Sequence, residues 1–293
     1  MEFRGVFTAI ITPFDENGKL DEECLKQLID FNISNGVCGI VPCGTTGESP
    51  TLTHEEHDRV IELTINHVNK RVPVIAGTGS NSTAEAVRLS QQAEAAGADA
   101  LLVVNPYYNK PTQEGLYRHF KAVANSVRIP IVLYNIKGRT GVNVETSTLM
   151  RIVGDCQNVL AVKEASGDLE QMKDVISKRP QGFSVLSGDD GITLDLIKEG
   201  GNGVISVASN LVPDKMSKMV SLALEGNFDE ASKLNSELDP LFDVEFIETN
   251  PIPIKCALSF KGMCKEAYRL PMCELRPENK EKLKQVLTEM EVI

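Results

Sequence analysis

Lys163 lies inside an apolar run, Asn158-Val159-Leu160-Ala161-Val162-Lys163-Glu164-Ala165. Such a run reads as a short buried strand. Alternation places Val159, Ala161 and Lys163 on one face and Leu160, Val162 and Glu164 on the other. Lysine is among the residues least often buried, because its ammonium loses solvation. A buried lysine falls in basicity from about 10.4 and becomes an amine nucleophile near neutral pH. Taken alone, the segment also fits a strand-end lysine that snorkels to water or pairs with a carboxylate.

Other chemistry-bearing residues gather at the ends of predicted strands. They are Thr12, Gly44-Thr45-Thr46-Gly47-Glu48, Gly77-Thr78-Gly79, Asn105-Pro106-Tyr107-Tyr108, Tyr134-Asn135, Lys163-Glu164, Ser187-Gly188-Asp189 and Ser206. Together they describe one rim that holds an amine, phenols, hydroxyls and glycine-rich backbone. The loop at 44–48 turns tightly and exposes N–H groups, which suits a carboxylate or phosphate. No Gly-Lys-Ser/Thr ending follows it, so it is no P-loop, and Gly77-Thr78-Gly79-Ser80 falls short of a dinucleotide fingerprint. A buried amine beside an anion nest points to Schiff-base chemistry on an α-keto acid. Tyr134 precedes Lys163 by one strand, and a phenol beside an amine can carry the proton transfers of imine formation. His54 and His57, spaced i,i+3 among Glu55, Glu56 and Asp58, read as a solvated helix start; no third ligand is in view, so no metal site is expected.

The elements that must position these groups alternate. Strand patterns run over 6–11, 39–42, 73–76, 100–104, 131–134, 159–162, 183–186 and 204–207. Amphipathic helical patterns separate them, including 22–34, 54–69, 83–96, 113–126 and 147–154, with Asp21, Thr53 and Ser82 as caps. Glycines at 36, 97 and 200 each stand where a helix ends before a strand. Strand-helix repeats of this kind imply parallel pairing with right-handed crossovers. Eight of them predict an α/β fold, a (β/α)₈ barrel over residues 1–226. A doubly wound open sheet is the other arrangement. The alternation then stops, and helices at 229–238, 254–260 and 278–290 between prolines predict a C-terminal helical domain over 227–293.

Composition bounds the rest. The 293 residues, 42% hydrophobic and 24% charged, suit a globular chain with a large core. A net charge of −11 argues against binding nucleic acid or anionic membrane, and an anionic substrate needs local cations. No apolar stretch spans a bilayer, no signal-peptide pattern is seen, and seven cysteines without a CxxC pair fit reduced thiols in a cytoplasmic protein.

Gly44-Thr45-Thr46-Gly47-Glu48-Ser49, Tyr134-Asn135-Ile136-Lys137-Gly138-Arg139-Thr140-Gly141 and Val162-Lys163-Glu164-Ala165 resemble the signature of the dihydrodipicolinate synthase family, also called 4-hydroxy-tetrahydrodipicolinate synthase. That family belongs to the pyruvate-dependent aldolase superfamily that includes N-acetylneuraminate lyase. The resemblance implies a cofactor-free lyase of lysine (diaminopimelate) biosynthesis that condenses pyruvate with aspartate semialdehyde. It implies a Schiff base on Lys163, proton transfer by Tyr134, and a relay through Thr45 to Tyr108 from a neighbouring subunit of a homotetramer. Thr46 with its loop amides would hold the pyruvate carboxylate, Gly188 and Ile205 would line the pocket, and Arg139 would hold the second substrate's carboxylate. Lys137 stands where the family usually has proline, which implies a looser turn with an added cation. Ser49, His54, His57, Asn81, Glu85 and Tyr107 match an effector site for lysine at the tight dimer interface of some relatives. A sibling aldolase acting on a sugar acid would need neutral hydrogen-bonding groups in place of Arg139. A non-catalytic ligand-binding regulator would have no use for both Lys163 and Tyr134.

Overall fold

The structure, a computed structural model, describes residues 2–293. Its first half repeats one unit: β1 (Gly5–Ala9), α1 (Glu22–Ser34), β2 (Gly39–Val41), α2 (His54–Val68), β3 (Ile75–Gly77), α3 (Thr83–Ala96), β4 (Ala100–Val104) and α4 (Gln113–Ser126). The repeat continues through β5 (Ile131–Asn135), a single turn α5 (Lys137–Thr140), α6 (Thr146–Asp155), β6 (Val159–Glu164), α7 (Leu169–Lys178), β7 (Ser184–Ser187), α8 (Thr193–Lys198), β8 (Gly203–Ser206) and α9 (Pro213–Leu224). The strands pair in parallel in the order β2-β1-β8-β7-β6-β5-β4-β3. A parallel bridge between Ile40 and Val74 joins the two ends, so the sheet closes into a (β/α)₈ barrel.

Local chemistry explains the joints. Asp21 accepts from the Cys24 N–H, and Thr53 with Glu56 forms a full capping box at the start of α2. Ser82 precedes α3 without capping it; its own N–H donates to Ser80 Oγ. Gly36, Gly97 and Gly200 have φ of 87°, 96° and 100°, the left-handed form that ends a helix without a Cβ clash.

Two cores result. Phe3, Phe7, Ala9, Val41, Leu102, Val132, Ala161, Leu186 and Ile205 fill the barrel interior. A larger layer, including Val159 and Val162, packs the strands against the helices. Val159 therefore does not share the face of Ala161 and Lys163, as strict alternation predicts. The ladder runs Ile131 to Val159 and then Val132 to Ala161, so a bulge at Leu160 flips the strand by one residue.

Beyond α9 stand α10 (Phe228–Val244), α11 (Ile252–Phe260) and α12 (Pro277–Glu289). The predicted break at Pro240 is absent, because α10 runs through it. Pro240 and Ser236, whose carbonyl loses its partner, are both exposed, so water can take that acceptor. Pro253 lies inside the first turn of α11, where a missing N–H costs no hydrogen bond. Among the described residues no helix is long and apolar enough to cross a membrane.

Candidate active site

Lys163, near the end of β6, pairs in register with Tyr134 near the end of β5. Its side chain is only 5% exposed, and Nζ stands 4.3 Å from the Tyr134 ring centroid. Burial lowers the amine's pKa to about 8; Asp190 pulls it up, Arg139 pushes it down and Asp189 pulls it up. Glu164 faces the other way. Asn135, Gln171 and the Ser166 N–H donate to its carboxylate, which leaves Lys163 without that neighbour as an ion-pair partner. Burial pushes the Tyr134 phenol up to about 12, against the pull of Arg139 and of a hydrogen bond with Thr45. The phenol is thus a proton donor at neutral pH, set against an amine that titrates there.

Gly188 makes room for this lysine. A Cβ at that position would stand 2.9 Å from Lys163 Cε and 3.1 Å from Cγ. Gly77 is required where β3 meets the loop after β2, because a side chain there would strike the Cys43 carbonyl. That loop bends sharply, with Cys43 and Glu48 in the left-handed region at φ 55° and 50°. The N–H groups of Thr45 and Thr46 have no partner among the described residues, which suits an anion. Thr46 is buried and its Oγ1 accepts from Asn250 Nδ2 at 2.9 Å. Ile205 sits in the barrel interior.

A cavity of about 430 Å³ opens at this end, with Thr45, Tyr134 and Arg139 in its wall. Arg139 lies on the α5 turn and donates to Thr249 Oγ1 and the Asn250 carbonyl, both at 3.4 Å. The Lys137 carbonyl accepts the Gly141 N–H at 2.9 Å, and Gly141 supplies the left-handed residue that closes the turn.

The same cavity reaches Ser49, His54, His57, Glu85 and Tyr107. Asn81 stays outside its wall; its carbonyl accepts from Asn109. Glu85 is already bound to His54 Nε2 at 2.8 Å and to the Ser80 hydroxyl. His57 is buried, unlike the solvated residue its helix-start position predicts, and its Nε2 donates to the Gly77 carbonyl. Burial lowers its pKa, so it is neutral. Among the described residues no three His, Cys, Asp or Glu side chains converge on a metal position. Tyr108 is 89% exposed at φ 72°; the loop turns Tyr107 into the cavity and Tyr108 away from this chain's site.

A model of the dihydrodipicolinate synthetase family matches residues 2–290. The chain belongs to that family. It is 56% identical to the 4-hydroxy-tetrahydrodipicolinate synthase of Syntrophus aciditrophicus over 97% of each chain. Its fold superposes with a TM-score of 0.97 on the chloride-inhibited dihydrodipicolinate synthase of Acinetobacter baumannii complexed with pyruvate, at 42% identity over 99% of each chain. The score is also 0.97 against the dihydrodipicolinate synthase of Cyanidioschyzon merolae with lysine bound, at 38% identity over the full length of each chain.

This dihydrodipicolinate synthetase family member has supporting residues that sequence reasoning passed over. Lys255 is fully buried and its Nζ donates to Glu48 Oε1 at 2.5 Å, which ties α11 to the loop after β2. Asn250 does the same for Thr46, and Thr249 with Asn250 holds Arg139. The signal for Lys255 was available: it stands in an apolar run, Ile252-Pro253-Ile254-Lys255-Cys256-Ala257-Leu258, as Lys163 does. Asn250 carries no such signal, because its contact joins residues 204 positions apart.

Proposed function

We propose that this chain is a lyase that condenses pyruvate with L-aspartate 4-semialdehyde to 4-hydroxy-tetrahydrodipicolinate, in lysine (diaminopimelate) biosynthesis. The observation that carries the reading is Lys163, buried and lowered to about 8, against the Tyr134 ring at the mouth of a barrel. The relatives' names and the pyruvate complex of the Acinetobacter protein support it.

The amine of Lys163 adds to the pyruvate ketone, and the carbinolamine loses water to give an imine. Tyr134 delivers and recovers the protons, with Thr45 linking it to Tyr108 of a neighbouring subunit. Thr46 and the loop N–H groups hold the pyruvate carboxylate, beside Gly188 and Ile205. Loss of a methyl proton gives an enamine, whose carbon attacks the aldehyde held by Arg139. The substrate's own amine then attacks the imine carbon, closes the ring and releases Lys163. Pyruvate and the semialdehyde thus give product and one water. The protonated imine on Lys163 accepts the electron pair of the broken C–H bond, so no separate cofactor is used. Residues 1–226 form the catalytic unit and 227–293 the appended helical unit, from which Asn250 and Lys255 return to the site.

Arg139 separates this reaction from the sibling reaction on a sugar acid, because a fixed guanidinium matches a carboxylated aldehyde. Arg139→Ala should raise the KM for aspartate semialdehyde or lower turnover by about 10–150-fold, the equivalent of about 1.5–3 kcal/mol. Pyruvate should still form its imine. A variant that loses pyruvate binding instead would put Arg139 on the wrong substrate.

The chain works as a cytoplasmic homotetramer, a dimer of dimers, with Tyr108 crossing a subunit boundary. Its 89% exposure in the single chain supports this. Tyr108→Phe should lower kcat with unchanged mass in solution, measured by kinetics and light scattering. A fully active monomer at assay concentration would contradict the crossing.

Lysine is an effector of this chain, bound by Ser49, His54, His57, Asn81, Glu85 and Tyr107. The lysine-bound relative and the cavity reaching Glu85 support it. Millimolar lysine should inhibit turnover and raise the melting temperature. Absence of both effects would retire the site.

A further inference from the structure

Glu245, just past the end of α10, is 1% exposed, and neither carboxyl oxygen meets a hydrogen-bond donor among the described residues. Its neighbour is Asp190, in the loop after β7, also 1% exposed. Asp190 Oδ2 accepts the N–H groups of Val207 and Ala208 at 2.8 and 3.0 Å, whereas its Oδ1 has no donor. The end of α10 lies against this loop: Phe242 Cβ would be 3.9 Å from a Cβ at Gly191. Two carboxyl groups are therefore neighbours in the interior, and three of their four oxygens have no hydrogen-bond donor among the described residues.

Elementary electrostatics leaves one arrangement. Two adjacent buried carboxylates cannot both be ionised. If neither is, the N–H pair on Asp190 and the amine of Lys163 lose their anion. One proton must then sit between them. The two N–H donors favour charge on Asp190, and burial together with the Asp190 carboxylate places the proton on Glu245.

Asp190 comes two residues after Gly188, the glycine against which the Lys163 stem runs. The charged and titratable groups facing this pair and Lys163 are few. They are Asp189 in the same loop, Arg139 from the α5 turn and Tyr134 from β5. We propose that Glu245 is a positioning residue: its protonated carboxyl donates to Asp190 Oδ1 and fixes Asp190 as the buried anion that sets the basicity of Lys163. This rests on the reading of Lys163 as the imine-forming amine.

The mechanism gains from such a pair. Addition to a ketone needs the free amine, while dehydration of the carbinolamine and the stability of the protonated imine favour a nearby negative charge. A single shared charge supplies the second without abolishing the first.

Two measurements test it. Infrared spectra at pH 8, where exposed carboxyls are ionised, should show the C=O stretch of a buried carboxylic acid in the native chain and lose it in Glu245→Gln. The pH midpoint of borohydride-trapped pyruvyl adduct on Lys163 should fall by about one unit in the double variant D190N/E245Q, which has no charge at the pair. Glu245→Gln alone keeps a neutral donor on Asp190 and should restore the native midpoint. A native spectrum without the acid band, or a double variant whose midpoint stays in place, overturns the pair. Failure of the native chain to trap pyruvate at Lys163 would instead overturn the function proposed above, and the infrared comparison would still decide the proton.

Discussion

Lys163→Ala is expected to lower turnover on the order of 10⁴-fold or more, because no other group can form the imine. Lys163→Arg should not rescue it, since a guanidinium stays protonated and cannot add to a ketone. The loss should be chemical and not a loss of fold. Burial takes the lysine from 10.5 to about 8, which corresponds to about 3 kcal/mol of preference for the neutral form. The sign follows from linkage. The unfolded chain binds this proton more tightly than the folded chain does. The cost to stability is thus fully present below about pH 8 and fades as pH rises toward 10.5. Lys163→Ala should therefore melt at the same temperature as the native chain or above it at pH 7, with the gap narrowing toward pH 10. The same titration governs chemistry: imine formation in the native chain should rise with pH through about 8 and then level off. A flat profile from pH 6 to 9 would mean that the amine is not rate-controlling.

Tyr134→Phe is the second large effect, roughly 10²–10⁴-fold in kcat. The phenol is held neutral by burial, up to about 12, so it enters the cycle as a donor. Its ring must stay where it is, because Lys163 Nζ packs 4.3 Å from its centroid. Phenylalanine keeps that ring and removes only the hydroxyl. Single-turnover trapping should show pyruvate still reaching Lys163, more slowly. Unchanged turnover would remove Tyr134 from the proton path and leave Thr45 with no partner to relay to.

The barrel was legible because its signals are local. Apolar runs, caps at Asp21 and Thr53, and left-handed glycines at 36, 97 and 200 each concern a few neighbouring residues, and each is found in place. The lysine was legible for the same reason, as a charged residue in an apolar strand. What failed needed information from elsewhere in the fold. The bulge at Leu160 is set by pairing with β5, so the face of Val159 could not be read from β6 alone. Pro240 reads as a break, yet α10 passes through it where its surroundings are solvent. His57 sits at i,i+3 from His54 on a polar helix start, but closure of the barrel buries it and brings the Gly77 carbonyl within reach of its Nε2. The links from Asn250 and Lys255 to the loop after β2 cross most of the chain, and only closure of the barrel brings them together.

The central claim is covalent chemistry at one amine. Incubation with pyruvate and borohydride, followed by peptide mass mapping, should find one reduced pyruvyl group per chain, on Lys163 alone. Adduct at another lysine, Lys255 included, or no adduct while condensation proceeds, would contradict the account.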